Sequence, residues 1–329
     1  MHIANRMILK LKKAIIKLKM SLQSNKPIEI PIRTDTNTER SEEYWTRRNV
    51  TEFKRFTSRT ESIEHLVERN NAYPGYAQLM PLDSADGKIV LDYGCGPGHD
   101  VIGFAEYSNA KKIIGMDVSA SALALAEERV ALHQANNITF IKINEDFERL
   151  PLDDSSIDII HSSGVIHHAP DIHKILDEFH RILKDDGYCQ IMVYNYDSIW
   201  LHLFCYYDAW LKNRIYYKEH FERRAGDDKR SLFQALADDP ECPIANCYHA
   251  DEFVKICAQA GLIAVHTGNA ISTSELDIFP DHFNAALKNK YFDQESREFL
   301  QEIQLDKDGI PCYRGHYAGI DMCFKVTKE

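Results

Sequence analysis

KIVLDYGCGPGHD, Lys88 to Asp100, decides how the rest of the chain is read. An apolar run, Ile89-Val90-Leu91, meets an acid at Asp92 and then three alternate glycines, Gly94, Gly96 and Gly98. This is the pattern of a buried strand running into a tight turn. Glycines at that spacing let backbone N–H groups approach a ligand with no Cβ in the way, and a helix that follows points its positive end at the same place. A small polar or anionic ligand is expected there.

Downstream, the chain alternates strand and helix. Residues 101–107 read as a helix and 112–116 as a second strand ending at Asp117. That carboxylate, 19 residues past Gly98, is placed to take both hydroxyls of a ribose. Ser119 or Ser121 can cap a helix over 122–133, and 138–143 form a third strand. The stretch NEDFERLPLDDSSIDII (144–160) then leads into a fourth strand over 157–161, followed by Ser162-Ser163-Gly164-Val165-Ile166-His167-His168-Ala169-Pro170-Asp171. Asp171 caps a helix over 172–183, and 187–194 are a fifth strand. This order calls for a parallel sheet with right-handed crossovers.

Residues 195–249 break the rhythm. Trp200, Phe204, Tyr206, Tyr207, Trp210, Tyr216 and Tyr217 crowd a helical stretch that either covers the substrate side of the sheet or packs only on itself. Residues 251–260 read as a helix ended by Gly261, and 262–266 as a strand. The 269–314 stretch reads as polar and irregular with a helix near 294–303, and 319–326 close the chain as a strand.

Upstream, residues 1–20 hold six basic residues and no acid, with Ile8, Leu11, Ile15 and Leu18 along one helical stripe opposite Lys10, Lys13 and Lys17. This is the pattern of an interfacial amphipathic helix, expected to lie on a membrane surface. The polar linker that follows, to residue 43, contains Pro27 and Pro31. Residues 44–84 form a helical cap with Tyr44, Trp45, Phe53, Phe56, Ile63 and Leu66 as expected buried points, interrupted by Tyr73-Pro74-Gly75-Tyr76.

With 329 residues, 44% of them hydrophobic, the chain can bury a full core. A formal net charge of -11 argues against a general nucleic-acid binder, which needs clustered Lys and Arg. No apolar run approaches the roughly 18 to 20 residues of a membrane span. The eight cysteines are scattered and no secretory signal precedes them, so reduced thiols in a cytoplasm are expected, at the inner face of the membrane if the basic helix binds there. Cys242, Cys247 and His249 lack a second ligand pair, and no metal site is expected.

The central turn, D-x-G-x-G-x-G, departs from the dinucleotide fingerprint, whose third glycine comes three residues after the second rather than two. An acid at Asp92 would also repel a pyrophosphate but suits an ammonium. The turn resembles motif I of the Rossmann-like (class I) S-adenosylmethionine (SAM) methyltransferases. Together with Asp117, the E-D-x-E-x-L-P stretch and the I-H-H-x-P-D loop, it is similar to the group containing ubiquinone, menaquinone and sugar O-methyltransferases. The resemblance implies an α/β fold with a seven-stranded, mostly parallel sheet in the order 3-2-1-4-5-7-6, strand seven antiparallel. It covers a domain over 85–329 with a substrate-side insertion at 195–249.

By that resemblance Gly94, Gly96 and the backbone around Tyr93 line the methionine part of SAM, Gly98 belongs to the same cofactor-binding turn, Asp92 lies near the ammonium and Asp117, with Val118 beside it, holds the ribose. Asp146 and Phe147 take the adenine, and Ser162, Ser163 and Gly164 border the methionine. Either His167 or His168 is the expected base for a hydroxyl acceptor, because imidazole titrates near neutral pH and the pair follows strand four. Asp197 is placed to orient that base or bind substrate, with Tyr194, Tyr196 and His316 behind it.

The sequence thus reads as a SAM-dependent methyltransferase acting on a small or lipid-linked acceptor, a hydroxyl of a sugar or quinone-like molecule. The competing readings are an N- or C-methyltransferase of another small metabolite and a SAM-binding partner protein without turnover. A nicotinamide dehydrogenase fails on glycine spacing and Asp92. A DNA amino-methyltransferase would carry an N-P-P-Y type loop where this chain has S-S-G-V.

Overall fold

The computed structural model describes residues 41–48, 53–222, 228–238 and 241–329. The basic stretch 1–20 and most of the linker lie outside the described residues.

The apolar runs become strands covered on both faces. In β1 (Ile89–Tyr93), Leu91 and Tyr93 join one core with Phe179 and Phe253, while Val90 turns to another with Val101 and Phe104. Such two-sided burial is what a parallel sheet between helix layers demands. With β2 (Lys112–Asp117), β3 (Ile138–Lys142), β4 (Ile157–Ser163) and β5 (Leu183–Asn195), it builds the parallel order β3-β2-β1-β4-β5. The two-residue β6 (Cys247–Tyr248) pairs with the end of β5.

Beyond β5 comes the terminal strand, antiparallel to β5 on one side and to β7 (Leu262–Ala270) on the other. Residues 304–317 form a separate three-stranded antiparallel sheet, β8 (Gln304–Leu305), β9 (Pro311–Tyr313) and β10 (His316–Tyr317). The terminal strand is therefore β11 (Asp321–Lys328), and the main order matches 3-2-1-4-5-7-6.

Two stretches differ from expectation. The 269–314 region is largely ordered: a helix spans Thr273–Lys288, opened by a reciprocal cap between Ser272 and Glu275, ahead of the helix Gln294–Glu302. The insertion is built on the helix Trp200–Lys212, wound in the wider i→i+5 pattern seen in the bond from Asn213 N to Asp208 O at 2.8 Å. Its Leu201, Cys205 and Ala209 pack on Leu232, Phe233 and Leu236, and its Ile199, Leu203 and Tyr207 side packs on Ile271, Ala286 and Phe299. Each such burial contributes about 1.5–3 kcal/mol, against about 0–1 kcal/mol for an exposed ion pair. Apolar packing therefore fixes the insertion in place.

Within the N-terminal cap, Tyr44 and Leu66 are buried as expected, but Phe53 is exposed at a backbone φ of 61°. Among the described residues no disulfide forms, and seven of the eight cysteines are buried. No helix of the described residues is long and apolar enough to cross a membrane.

Candidate active site

The carboxyl ends of β1, β2 and β4 open into a cavity of about 390 Å³, closed from above by Trp45, His65, Arg69, Tyr73 and Tyr76 of the cap. That volume is in the range of small-molecule sites. Asp92, Tyr93, Gly94, Gly96, Asp117, Val118, Ser163 and His168 all line it.

The turn after β1 is held to β2 by Gly94 N and Cys95 N, both donating to Met116 O at 2.7 and 3.0 Å. Gly94 sits at φ 75°, and a Cβ there would lie 2.3 Å from Val165. Gly98 does a different job from the one expected. It does not line the cavity; it opens the helix His99–Tyr107 at φ 77° and lets that helix approach Ala126, 3.1 Å from the place of a Cβ.

Asp117 accepts from Gly96 N at 2.8 Å through one oxygen and from Ser119 N at 2.7 Å through the other. Burial pushes its pKa up, and these backbone donors oppose the push. The carboxylate is thereby fixed in direction at the end of β2.

Asp92 is buried and its Oδ2 has no hydrogen-bond partner. Burial pushes its carboxyl up to about 7, with Asp100 and Asp117 adding to the push and His161 and Arg69 opposing it. A fixed chain of contacts runs beneath it. Gln190 Nε2 donates to His161 Nδ1 at 2.8 Å, so the His161 proton lies on Nε2 and is given to Asp100 at 3.1 Å. Arg69 grips Asp100 with two nitrogens. Burial disfavours the ionised Asp100, but the Arg69 charge and these bonds outweigh it and hold the acid well below the carboxylate range. Asp100 is thus compensated and Asp92 is not.

The two residues expected at the adenine stand outside this cavity. Asp146 is exposed and Phe147 packs under the Lys174 ammonium, 4.9 Å from its ring centre; neither lines the cavity, where Glu145 and Ile143 stand instead. The tight turn after β3 rotates the acid by one position. Ser162 also points away, fully buried, because strand alternation sends only Ser163 to the cavity, where its Oγ lies 2.5 Å from Tyr76 Oη.

The two histidines separate. His167 is fully buried, stacked on Tyr194 at 3.8 Å between centres, and burial holds its pKa well below the ordinary value. His168 faces the cavity beside Trp45. Its Nδ1–H donates to Ile244 O at 2.6 Å, which leaves Nε2 as the accepting nitrogen, 3.0 Å from His167 Nε2 and 3.8 Å from Asp238 Oδ2.

Asp197 is not beside them. Its backbone N–H donates to Asn195 Oδ1 at 3.0 Å in a tight turn, and its side chain lies in a second cavity, where it meets His249 Nδ1 at 2.9 Å among His202, His266 and His316. The hydrogen bond and charge of Asp197 raise the His249 pKa against burial. Nor do the insertion's aromatics line the main cavity; the insertion contributes Asp238.

Cys247 lies in the insertion core and His249 on Asp197, so neither joins Cys242. Cys242 instead approaches His168 and Asp238. Its Sγ is 3.8 Å from Nδ1, whereas Asp238 is 3.8 Å from Nε2, so the trio flanks two different nitrogens.

The sequence places Trp45 and Tyr76 in the cap without assigning them to the cavity, and it leaves Arg69, Asp238 and Asp321 unmarked. Only Asp321 carried a signal, an acid in an otherwise apolar terminal strand.

An α/β sheet in this order, with a glycine turn and two acids at the ends of its first two strands, defines a Rossmann-like methyltransferase fold. Residues 84–257 match the family model described as a methyltransferase domain, and the chain belongs to that family, whose cofactor is SAM. The chain is 36% identical over 111 residues to a malonyl-[acyl-carrier protein] O-methyltransferase of Marinomonas sp., covering 33% of this chain and 38% of that protein. It is 30% identical over 110 residues to a demethylmenaquinone methyltransferase of Shouchella clausii, covering 33% and 46%. The match therefore spans less than half of these curated relatives. Among solved structures, the YcgJ protein of Bacillus subtilis is similar at TM-score 0.45 and 19% identity, over 77% of this chain and 97% of that one.

Proposed function

We propose that this protein moves the methyl group of SAM to a hydroxyl of a small or lipid-linked acceptor, sugar- or quinone-like, with His168 taking the acceptor's proton. The observation that carries the reading is the division of one cavity into two chemistries. One half has Asp92, the glycine turn and Asp117; the other has His168, Tyr194 and Asp238.

The residues fit the cofactor. The uncompensated Oδ2 of Asp92 suits an ammonium, and the fixed carboxylate of Asp117 suits ribose hydroxyls. The bound cofactor supplies an electrophilic methyl on a sulfonium. The chain's share is then proximity, orientation and exclusion of water. When bound, the cofactor would supply the methyl and its sulfur would keep the electron pair of the bond given up, while His168 Nε2 is the nitrogen placed to take the acceptor's hydroxyl proton. The acceptor displaces the His167 N–H from that nitrogen, and Asp238 faces the imidazolium that results.

General-base assistance is worth roughly a hundred- to ten-thousandfold. His168→Ala is expected to lower turnover by that factor with SAM affinity nearly constant, using radiolabelled methyl uptake by hydroxylated glycans and lipid-linked intermediates. Near-normal turnover in His168→Ala across pH 6 to 9 would point to an amine or carbon acceptor. Cofactor binding with no turnover on any acceptor would favour the partner-protein reading. Residues 1–20, on this proposal, lie on the anionic inner face of a membrane and bring the domain to lipid-linked acceptors.

A further inference from the structure

We infer that the acceptor carries a positively charged nitrogen, held at the far end of the cavity by Asp321 and Asp238 beside Tyr73 and Tyr194; this rests on the methyltransferase reading above. Asp321 opens β11, opposite Tyr194 of β5 in the sheet register. It is 3% exposed, it lines the cavity, and among the described residues its side chain makes no hydrogen bond or ion pair. A carboxylate so enclosed and uncompensated is costly unless a ligand supplies the partner.

Asp238 reaches the same region from the insertion. Its Oδ1 accepts from Tyr194 Oη at 3.1 Å, and its Oδ2 is buried with no hydrogen bond. Its one ion-pair candidate among the described residues is the His168 ring, whose Nε2 lies 3.8 Å away, beyond hydrogen-bond reach. Both acids raise the Tyr194 pKa beyond what burial does, and both raise that of Tyr73 in the same way, so the four side chains share one electrostatic neighbourhood. Burial also lifts the Asp321 carboxyl well above its ordinary value, with Glu275 adding to it and Arg69 opposing.

The cations lining the cavity are already engaged. Arg69 serves Asp100, and Arg48 reaches Glu241 at 2.7 Å. The cofactor's ammonium is matched by Asp92. Two acids therefore remain on the acceptor side, beside the side chains of Tyr73 and Tyr194, a combination that favours an ammonium through charge. The acceptor class is a hydroxylated molecule that also bears an amine, such as an amino sugar or amino alcohol.

The test uses the full chain saturated with S-adenosylhomocysteine at pH 8, with tetramethylammonium as the charged probe and tert-butyl alcohol as its neutral counterpart of similar shape, both followed by ligand NMR titration. The expected result is tetramethylammonium binding at least tenfold tighter than the alcohol, reduced roughly tenfold by Asp321→Asn and by Asp238→Asn while S-adenosylhomocysteine affinity holds. Equal affinity for the two probes, or tetramethylammonium binding unchanged in both variants, overturns the inference. So does competition between tetramethylammonium and S-adenosylhomocysteine, which would place the cation at Asp92. A fourth contrary result is weaker SAM binding in Asp321→Asn with unchanged S-adenosylhomocysteine and probe binding, which would assign the acid to the sulfonium. Failure of S-adenosylhomocysteine itself to bind would instead strike the methyltransferase reading.

Discussion

Burial pushes the Asp92 carboxyl up to about 7, and one of its oxygens has no hydrogen-bond partner. Because its folded pKa is raised from 3.8, the fold favours the protonated form; the stability this gives is complete below about 4 and is lost as pH rises through 7. An arriving ammonium favours the ionised form instead. S-adenosylhomocysteine binding should therefore release a proton at pH 6 and almost none at pH 8.5, and affinity should climb with pH up to about 7 and then level. Calorimetry in buffers of different ionisation enthalpy reads the released proton directly, and Asp92→Asn should abolish it. Buffer-independent heats at pH 6 would mean that Asp92 does not meet the ammonium. The identity of this residue and of Asp117 was legible in the sequence because strand ends and glycine spacing mark them. Asp146 stands outside the cavity while its neighbour Glu145 lines it, because a turn, not a strand, sets which acid faces inward, and Asp238 lies in a stretch with no periodicity to place it.

Among the elements, the helix Thr273–Lys288 shows what a sequence reading can overlook. Ser272 and Glu275 carry the S-x-x-E signature of a capped helix start, and Leu276, Phe279, Phe283 and Leu287 follow at helical spacing, yet the many polar residues between them hid the stripe. Glu275 does more than cap. Fully buried, it accepts from Trp200 N at 3.0 Å, Ser272 N at 2.9 Å and Ile320 N at 3.2 Å, tying the insertion, this helix and the approach to β11 together. Leaving a buried donor unsatisfied costs about 1–3 kcal/mol, so Glu275→Ala should destabilise by about 3 kcal/mol or more in denaturant melts; a loss under about 1 kcal/mol would show that water replaces it. Burial raises the Glu275 carboxyl to about 7 against its backbone donors. The stability it contributes is therefore full below about 4.5 and falls as pH rises through 7, and Glu275→Gln should flatten that part of the stability profile. The insertion's aromatic helix was legible as an element but not in its role. Whether aromatic side chains face a cavity or each other depends on packing that spacing alone does not encode.

At the scale of the whole molecule, the sheet order followed from the alternation of strand and helix, since parallel crossovers leave few topologies. The acceptor end did not, because it is assembled from the cap, the insertion and the last strand, segments far apart in the chain. The charge distribution makes its own prediction: six basic residues in 1–20 precede a chain that is otherwise acidic. Each contributes about 1 kcal/mol at an anionic surface, so the full chain should sediment with anionic vesicles at low salt and lose this as salt is added. A chain starting at Ser21 should stay in solution. Equal sedimentation of the two would remove the membrane from the proposal. The most direct test of the whole reading is calorimetric titration of S-adenosylhomocysteine and NAD into the wild type and Asp117→Ala, with melts to confirm that the variant is folded. A charged hydrogen bond to the ribose is worth about 1.5–3 kcal/mol, so binding of S-adenosylhomocysteine should be micromolar in the wild type and weaken roughly ten- to a hundredfold in the variant, with NAD binding neither. Unchanged affinity in a folded Asp117→Ala protein, or tighter binding of NAD, would contradict the assignment of this cavity to SAM.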